Sequence, residues 1–140
     1  MIKYIFFIIL FCCLFCYKSG YGQTVRQIEK SYRDCLESGI PTTQSSLNCT
    51  YSYLLKYESV LVKKLTDLTE KLPEHLAEKL FENQTVWKQW LKSEVSFYQT
   101  FYTKVYQSGS MVRMAVLTKK MELVKNRIRE LENRIDWLTD

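Results

Sequence analysis

The sequence has few of the residues from which most catalytic sites are built. It holds one histidine, His75, and only four glycines in 140 residues. The glycines are too scattered to form a phosphate-binding loop, and no nucleophile lies at a recognisable spacing from His75. We therefore predict that the protein is not an enzyme and carries no cofactor.

Cysteine is also scarce beyond the first 22 residues, where only Cys35 and Cys49 remain. An even pair of cysteines in an exported chain predicts a disulfide, which would hold a short helix near residue 35. A metal site is the other way to use two cysteines. No histidine or carboxylate cluster lies nearby in the sequence to complete four ligands, so we predict no metal site.

The chain has no apolar run long enough for a membrane-spanning helix, which needs about 20 residues. Its longest run extends from Tyr4 to Tyr17, after Lys3 and before Gly20 and Gly22. This pattern predicts a signal peptide, residues 1–22, cut after Gly22, with an uncleaved anchor as the alternative. We expect one domain, residues 23–140, that is periplasmic or secreted and meets the membrane only through the signal peptide before cleavage.

Basic residues form no dense patch. The formal net charge is +5, and it falls to +3 when Lys3 and Lys18 leave with the signal peptide. Proteins that bind nucleic acids usually concentrate positive charge along one stripe. We therefore expect no nucleic-acid partner.

Heptad spacing is the strongest pattern in the chain. The residues between the apolar positions of the last segment are mostly charged, and we expect those charged residues to stay in water. The apolar residues recur at alternating gaps of three and four: Met114, Leu117, Met121, Val124, Ile128, Leu131, Ile135 and Leu138. Such a narrow apolar seam predicts a helix packed along other helices. The partner is either another helix of the same chain or a second copy of the protein.

Three further helices precede this one. We predict an all-α fold in which a short helix over 25–38 joins an antiparallel bundle of long helices over about 43–71, 74–106 and 111–138. Gly39 and Pro41 would end the short helix, and Thr42 or Thr43 would cap the next. Pro73 would start the third helix, and Gly109 and Ser110 would form the last turn.

Aromatic residues widen the apolar surface of the third helix, so we expect it to touch neighbours on two sides. Trp87 is predicted to lie in the core. An exposed binding patch formed by Trp90, Phe97 and Tyr102 is the alternative for the remaining aromatics. Glu58 interrupts the apolar band of the second helix, so it either lies at the edge of that band or pairs with a cation from another helix.

Several segments together carry a resemblance to a known family. They read Gln84-x-x-Trp87-Lys-x-Trp90-x-x-x-Glu94, Gly109-Ser110-Met111-x-x-Met114 and Glu122-Leu123-x-x-x-Arg127-x-x-Glu130-Leu131, preceded by Asp34-Cys35, Thr43 and Leu47-Asn48-Cys49. Their order and spacing resemble the LprI-type lysozyme inhibitor family of bacterial exported proteins. The eight motif positions that we carry over are Gln84, Trp87, Trp90, Gly109, Ser110, Arg127, Glu130 and Leu131.

The resemblance implies two disulfides, of which the first matches Cys35 and Cys49. The second falls at Val95 and Lys119, so neither of its cysteines is present. We therefore expect the third and fourth helices to stay docked through apolar packing alone.

The resemblance also implies a protein partner, lysozyme, whose cleft the chain would occlude. The positive charge of the mature chain would give no long-range attraction toward a basic lysozyme. The alternative is a structural or self-assembling helical protein of the cell envelope, a homodimer through the last helix, with no lysozyme target.

Overall fold

The computed structural model describes residues 24–38 and 42–137, and within them it contains four helices and no strand. We label them α1 (Val25–Ser38), α2 (Thr43–Thr69), α3 (Glu74–Tyr106) and α4 (Ser110–Asp136). The predicted all-α class is confirmed, and the predicted bounds of the helices differ from the observed ones by at most two residues.

The ends of the helices follow local chemistry, with one exception. Thr42 caps α2 as predicted, because its side chain accepts a hydrogen bond from the Ser45 N–H in a capping box. Pro73 precedes α3. The prediction for the last turn was wrong in detail. Helix α3 ends at Tyr106, and its C-cap Gln107, not Gly109, takes the left-handed conformation there (φ 59°). Ser110 is the first residue of α4, and no side chain caps that end of the helix.

Helix α4 lies at the centre of the molecule and packs against both α2 and α3. It runs parallel to α2, because Glu58 pairs with Lys120 and Lys64 pairs with Glu132 further along both helices. Contacts between α3 and α4 run in the opposite order, since Gln84 meets Arg127 and the later Tyr98 meets the earlier Lys119. Consecutive long helices are therefore antiparallel, as predicted. The seam of α4 is buried within the single chain, where these residues meet α1, α2 and α3: Met121, Val124, Ile128 and Leu131.

Helix α1 is held against α2 by polar, apolar and covalent contacts. Ile28 is fully buried, and the Tyr32 hydroxyl lies 2.9 Å from Thr50 Oγ1. Cys35 and Cys49 form the predicted disulfide, with their Cα atoms 6.1 Å apart. These contacts attach the short helix at both ends and in the middle.

Helix α3 packs less completely than its sequence predicted. It docks on α4 and makes almost no contact with α2, although it follows α2 in the chain. Only Leu80 and Gln84 of its residues are buried. The expectation that α3 touches neighbours on two sides was wrong, because α2 directs its apolar band toward α1 and α4 and leaves α3 with one large partner.

Several predictions concern residues outside the described ranges. These are the signal peptide over residues 1–22, the helix end at Gly39 and Pro41, and Leu138 as the last seam residue. Across the described residues, no helix combines the length and apolar character needed to cross a membrane.

Candidate functional site

The junction of α3 and α4 contains a buried arginine. Arg127 is 4% exposed, although the heptad pattern placed it among the charges expected to stay in water. Its neighbours Val124, Ile128 and Leu131 are buried as well, so the apolar surface of α4 is wide enough to enclose the base of this side chain. The expectation of a fully wet outer face was therefore wrong at this position.

Every nitrogen of the Arg127 guanidinium group donates a hydrogen bond. Nε donates to Gln84 Oε1 at 3.0 Å, Nη1 to Glu130 Oε2 at 2.7 Å and Nη2 to Asn83 Oδ1 at 2.6 Å. The group also lies over the Trp87 ring, 5.6 Å from its centroid. This set of contacts satisfies the buried charge and fixes the register between α3 and α4.

The fold thus brings together four of the motif residues that are far apart in sequence, namely Gln84, Trp87, Arg127 and Glu130. We call them, with Asn83, the Arg127 cluster. Asn83 was missed by the sequence reasoning, and its position next to Gln84 was the only available signal. Glu130 also accepts a hydrogen bond from Arg134, which lies four residues later on the same face of α4.

The remaining motif residues are spread over the molecule. Trp90 is exposed on α3, and Leu131 is part of the core. Gly109 adopts a positive φ of 98° in the last turn, and Ser110 begins α4. These four residues do not join the Arg127 cluster.

An exposed apolar face runs along α3, beside the surface that contacts α4. We call it the α3 face and define it as Val86, Trp90, Phe97, Phe101 and Val105, all of which are exposed. At about 100° of rotation per residue, they fall within one arc of about 100°. The rings of Phe97 and Phe101 stack with centroids 6.1 Å apart. The α3 face therefore offers ordered aromatic surface to a partner.

The predicted aromatic patch is only partly the same as this face. Trp90 and Phe97 are exposed, whereas Tyr102 is half-buried. Trp87, the predicted core residue, is half-buried and packs against the core. Sequence alone could not separate core from surface here, because aromatic residues are spread over more than half of the circumference of the helix.

A cation–π contact also joins α3 to α4 near the position at which the resemblance placed the missing second disulfide. The Lys119 ammonium group lies 5.3 Å from the Tyr98 ring centroid and pairs with Glu122. The hydrogen bond to Glu122 is the main reason why the pKa of Lys119 is raised. Docking is therefore not purely apolar at this position, which corrects the sequence-based expectation.

Ion pairs flank the central helix on the α1 and α2 side. Lys125 binds Glu29 of α1 at 2.7 Å, and this hydrogen bond is the main reason why the pKa of Glu29 is lowered. Glu58 is half-buried and pairs with Lys120 at 2.7 Å. Both readings of Glu58 hold, since it lies at the edge of the α2 band and has a cationic partner.

Groups that could perform metal chemistry are not assembled in the described part of the chain. No cluster of three or more histidine, cysteine, aspartate or glutamate residues there could hold a metal ion. His75 is exposed in the first turn of α3.

Fold and surface together define a class of protein: a small helical bundle that contains the Cys35–Cys49 disulfide, a buried arginine cluster and an exposed aromatic face. Comparison with family models identifies the class further. The family described as Lysozyme inhibitor LprI matches residues 16–131, which is most of the chain. The protein belongs to the LprI lysozyme inhibitor family. No curated protein and no solved structure matches the chain.

Proposed function

We propose that this protein is an exported, non-enzymatic binding protein that inhibits a lysozyme by occluding its cleft. The family match over residues 16–131 is the observation that carries this proposal. Export rests on the apolar segment within residues 1–22. If it is correct, the protein recovered from the periplasm or medium begins at Gln23, which amino-terminal sequencing tests.

The α3 face is the surface that we assign to the target. It combines exposed aromatic residues with a rigid helical backbone, and aromatic side chains contribute most to protein interfaces when a partner buries them. The mature chain has a formal charge of +3, so long-range attraction to a basic enzyme is absent. Affinity for such a target must then come from short-range apolar contacts, which the α3 face supplies.

Two phenylalanines of α3 provide a matched test. Phe97 on the α3 face is 59% exposed, and Phe81 is 75% exposed. They lie on the same helix but point in directions about 160° apart. Loss of either side chain should leave the fold intact, so a difference between the two variants reports on the position of the interface.

The experiment measures lysis by several lysozyme types in the presence of the purified protein. We expect slowed lysis with at least one type, a loss of about tenfold in inhibitory potency for Phe97→Ala, and no change for Phe81→Ala. The proposed function is wrong if micromolar protein slows none of the enzymes. The assignment of the surface is wrong if the two variants inhibit equally well.

Self-association is the second candidate function, as a structural protein of the cell envelope. The seam of α4 is buried within one chain, so it no longer suggests a dimer. The α3 face provides the exposed surface that favours self-association instead. Sedimentation of the protein at tens of micromolar distinguishes the candidates, because a monomer at that concentration removes the homodimer.

A further inference from the structure

An apolar groove lies at the end of the bundle where α2 ends, α3 begins and α4 ends. Its volume is about 420 Å³, within the range of about 300–1,000 Å³ that small-molecule sites occupy. On α3 the groove involves residues 76–83, whereas the stacked rings of the α3 face belong to Phe97 and Phe101. Its lining is Leu68, Leu72, Leu76, Lys79, Leu80, Asn83, Arg134 and Trp137.

The lining combines a leucine floor with a cationic rim. Leu68 and Leu80 are buried at its base, and Leu76 is 44% exposed. Lys79 and Arg134 supply two positive charges, and none of the described residues that line the groove is acidic. An apolar molecule with a negative head group matches both parts of this surface.

Both cations have acidic neighbours outside the lining. Lys79 pairs with Glu82 at 2.8 Å, and Arg134 pairs with Glu130. Each is a solvent-accessible pair within one helix, and pairs of this kind contribute little to stability. The ammonium and guanidinium groups therefore retain the capacity to bind another anion, and the planar guanidinium suits a carboxylate.

We propose that this groove binds a single-chain anionic amphiphile, such as a fatty acid. The alkyl chain would lie on Leu68, Leu72, Leu76 and Leu80, with its carboxylate between Lys79 and Arg134. Each methylene group removed from water on the leucine floor favours binding. The two cations select the sign of the head group, because their N–H groups can donate hydrogen bonds to a carboxylate, whereas a quaternary ammonium group could accept none.

Isothermal titration calorimetry with decanoate, below the concentration at which it forms micelles, tests the proposal. We expect saturable binding of one decanoate per chain, and binding of the decyltrimethylammonium cation that is weaker by about tenfold or more. The lysozyme assay does not enter this experiment, so the two proposals succeed or fail separately.

Two pairs of variants locate the site. Leu76→Gln should weaken decanoate binding by about tenfold, whereas Leu55→Gln, a change at a leucine with 47% exposure on α2, should leave it unchanged. Lys79→Gln should weaken binding severalfold, whereas Lys63→Gln should not. Lys63 is a suitable control because it is also exposed and pairs with an acid on its own helix. Circular dichroism confirms that each variant is folded.

Specific results would overturn the proposal. The groove does not bind this ligand if no saturable heat appears up to about 1 mM decanoate. Equal effects of Leu76→Gln and Leu55→Gln would place the binding elsewhere, and equal affinity for the cationic amphiphile would refute the role of the rim.

Discussion

The replacement Arg127→Met tests the Arg127 cluster directly. Methionine keeps an unbranched side chain with good helix propensity but removes the positive charge and the three hydrogen bonds that the guanidinium group donates. Gln84, which is 5% exposed, would lose the donor to its Oε1, and its Nε2 already has no partner among the described residues. Asn83 and Glu130 are exposed, so water can replace their lost contacts.

The magnitude follows from these differences in burial. A buried polar group left without a partner costs about 1–3 kcal/mol, and an exposed ion pair contributes about 0–1 kcal/mol. We therefore expect Arg127→Met to lower the free energy of unfolding by about 2–3 kcal/mol. Most of that loss should come from Gln84, whose buried amide group would have no hydrogen-bond partner left.

A second substitution separates the desolvation cost from a simple loss of contacts. In the double variant Arg127→Met/Gln84→Met, both partners are apolar, so no amide remains buried without a donor. This variant should be more stable than Arg127→Met alone by about 1 kcal/mol. The two substitutions should therefore be strongly non-additive.

Urea denaturation followed by far-ultraviolet circular dichroism measures these free energies. Arg129→Met is the matched control, because Arg129 is an exposed arginine on the same helix that binds the exposed Asn126. Its cost should stay within about 0.5 kcal/mol. The reasoning is refuted if Arg127→Met costs no more than Arg129→Met, or if the effects of the Arg127 and Gln84 substitutions simply add.

Two further predictions concern the disulfide and a buried tyrosine. Reduction of Cys35–Cys49, which are 14 residues apart, should cost about 3 kcal/mol and release α1 without unfolding the long helices. Thermal melts with and without reductant test this, and loss of the whole helical signal on reduction would contradict it. Burial raises the pKa of Tyr57 from 10.0 to about 12, so the unfolded chain loses this proton first and stability should fall as pH rises through that range. Because the Tyr57 hydroxyl has no hydrogen-bond partner among the described residues, Tyr57→Phe should raise stability at neutral pH by up to about 1 kcal/mol and remove that part of the pH dependence. Urea titrations of both proteins across this pH range measure the difference, and a loss above about 1 kcal/mol for the variant at neutral pH would count against it.

Local pattern was sufficient to predict the helices and the disulfide. Seven-residue spacing locates an apolar seam, and Thr42 and Pro73 mark helix starts through contacts or constraints within a few residues. The last turn was less predictable. Gln107 and Ser108 adopt positive φ values there although they are not glycines. Local propensity predicts a positive φ at Gly109. The path of the chain between two docked helices gives the two preceding residues positive φ values as well.

The candidate site depended much more on the tertiary structure. Gln84, Trp87, Arg127 and Glu130 were named from a resemblance, but no local pattern indicated that they meet around one buried guanidinium. Gln84 of α3 meets Arg127 of α4 across 43 positions of the sequence, and Trp87 lies nearly as far from Arg127 along the chain. Sequence spacing along one helix carries no information about its rotation against another.

The sequence by itself determined which residues form helices and which edge of each helix is apolar, because backbone geometry and hydrophobic periodicity act within a few turns. Only the tertiary structure decided how many neighbours each helix has. That number depends on how all apolar edges share a limited set of partners. Helix α4 has neighbours on both sides, and its Arg127 is buried. Helix α3 has one main neighbour, so its Trp90, Phe97 and Phe101 are exposed to solvent.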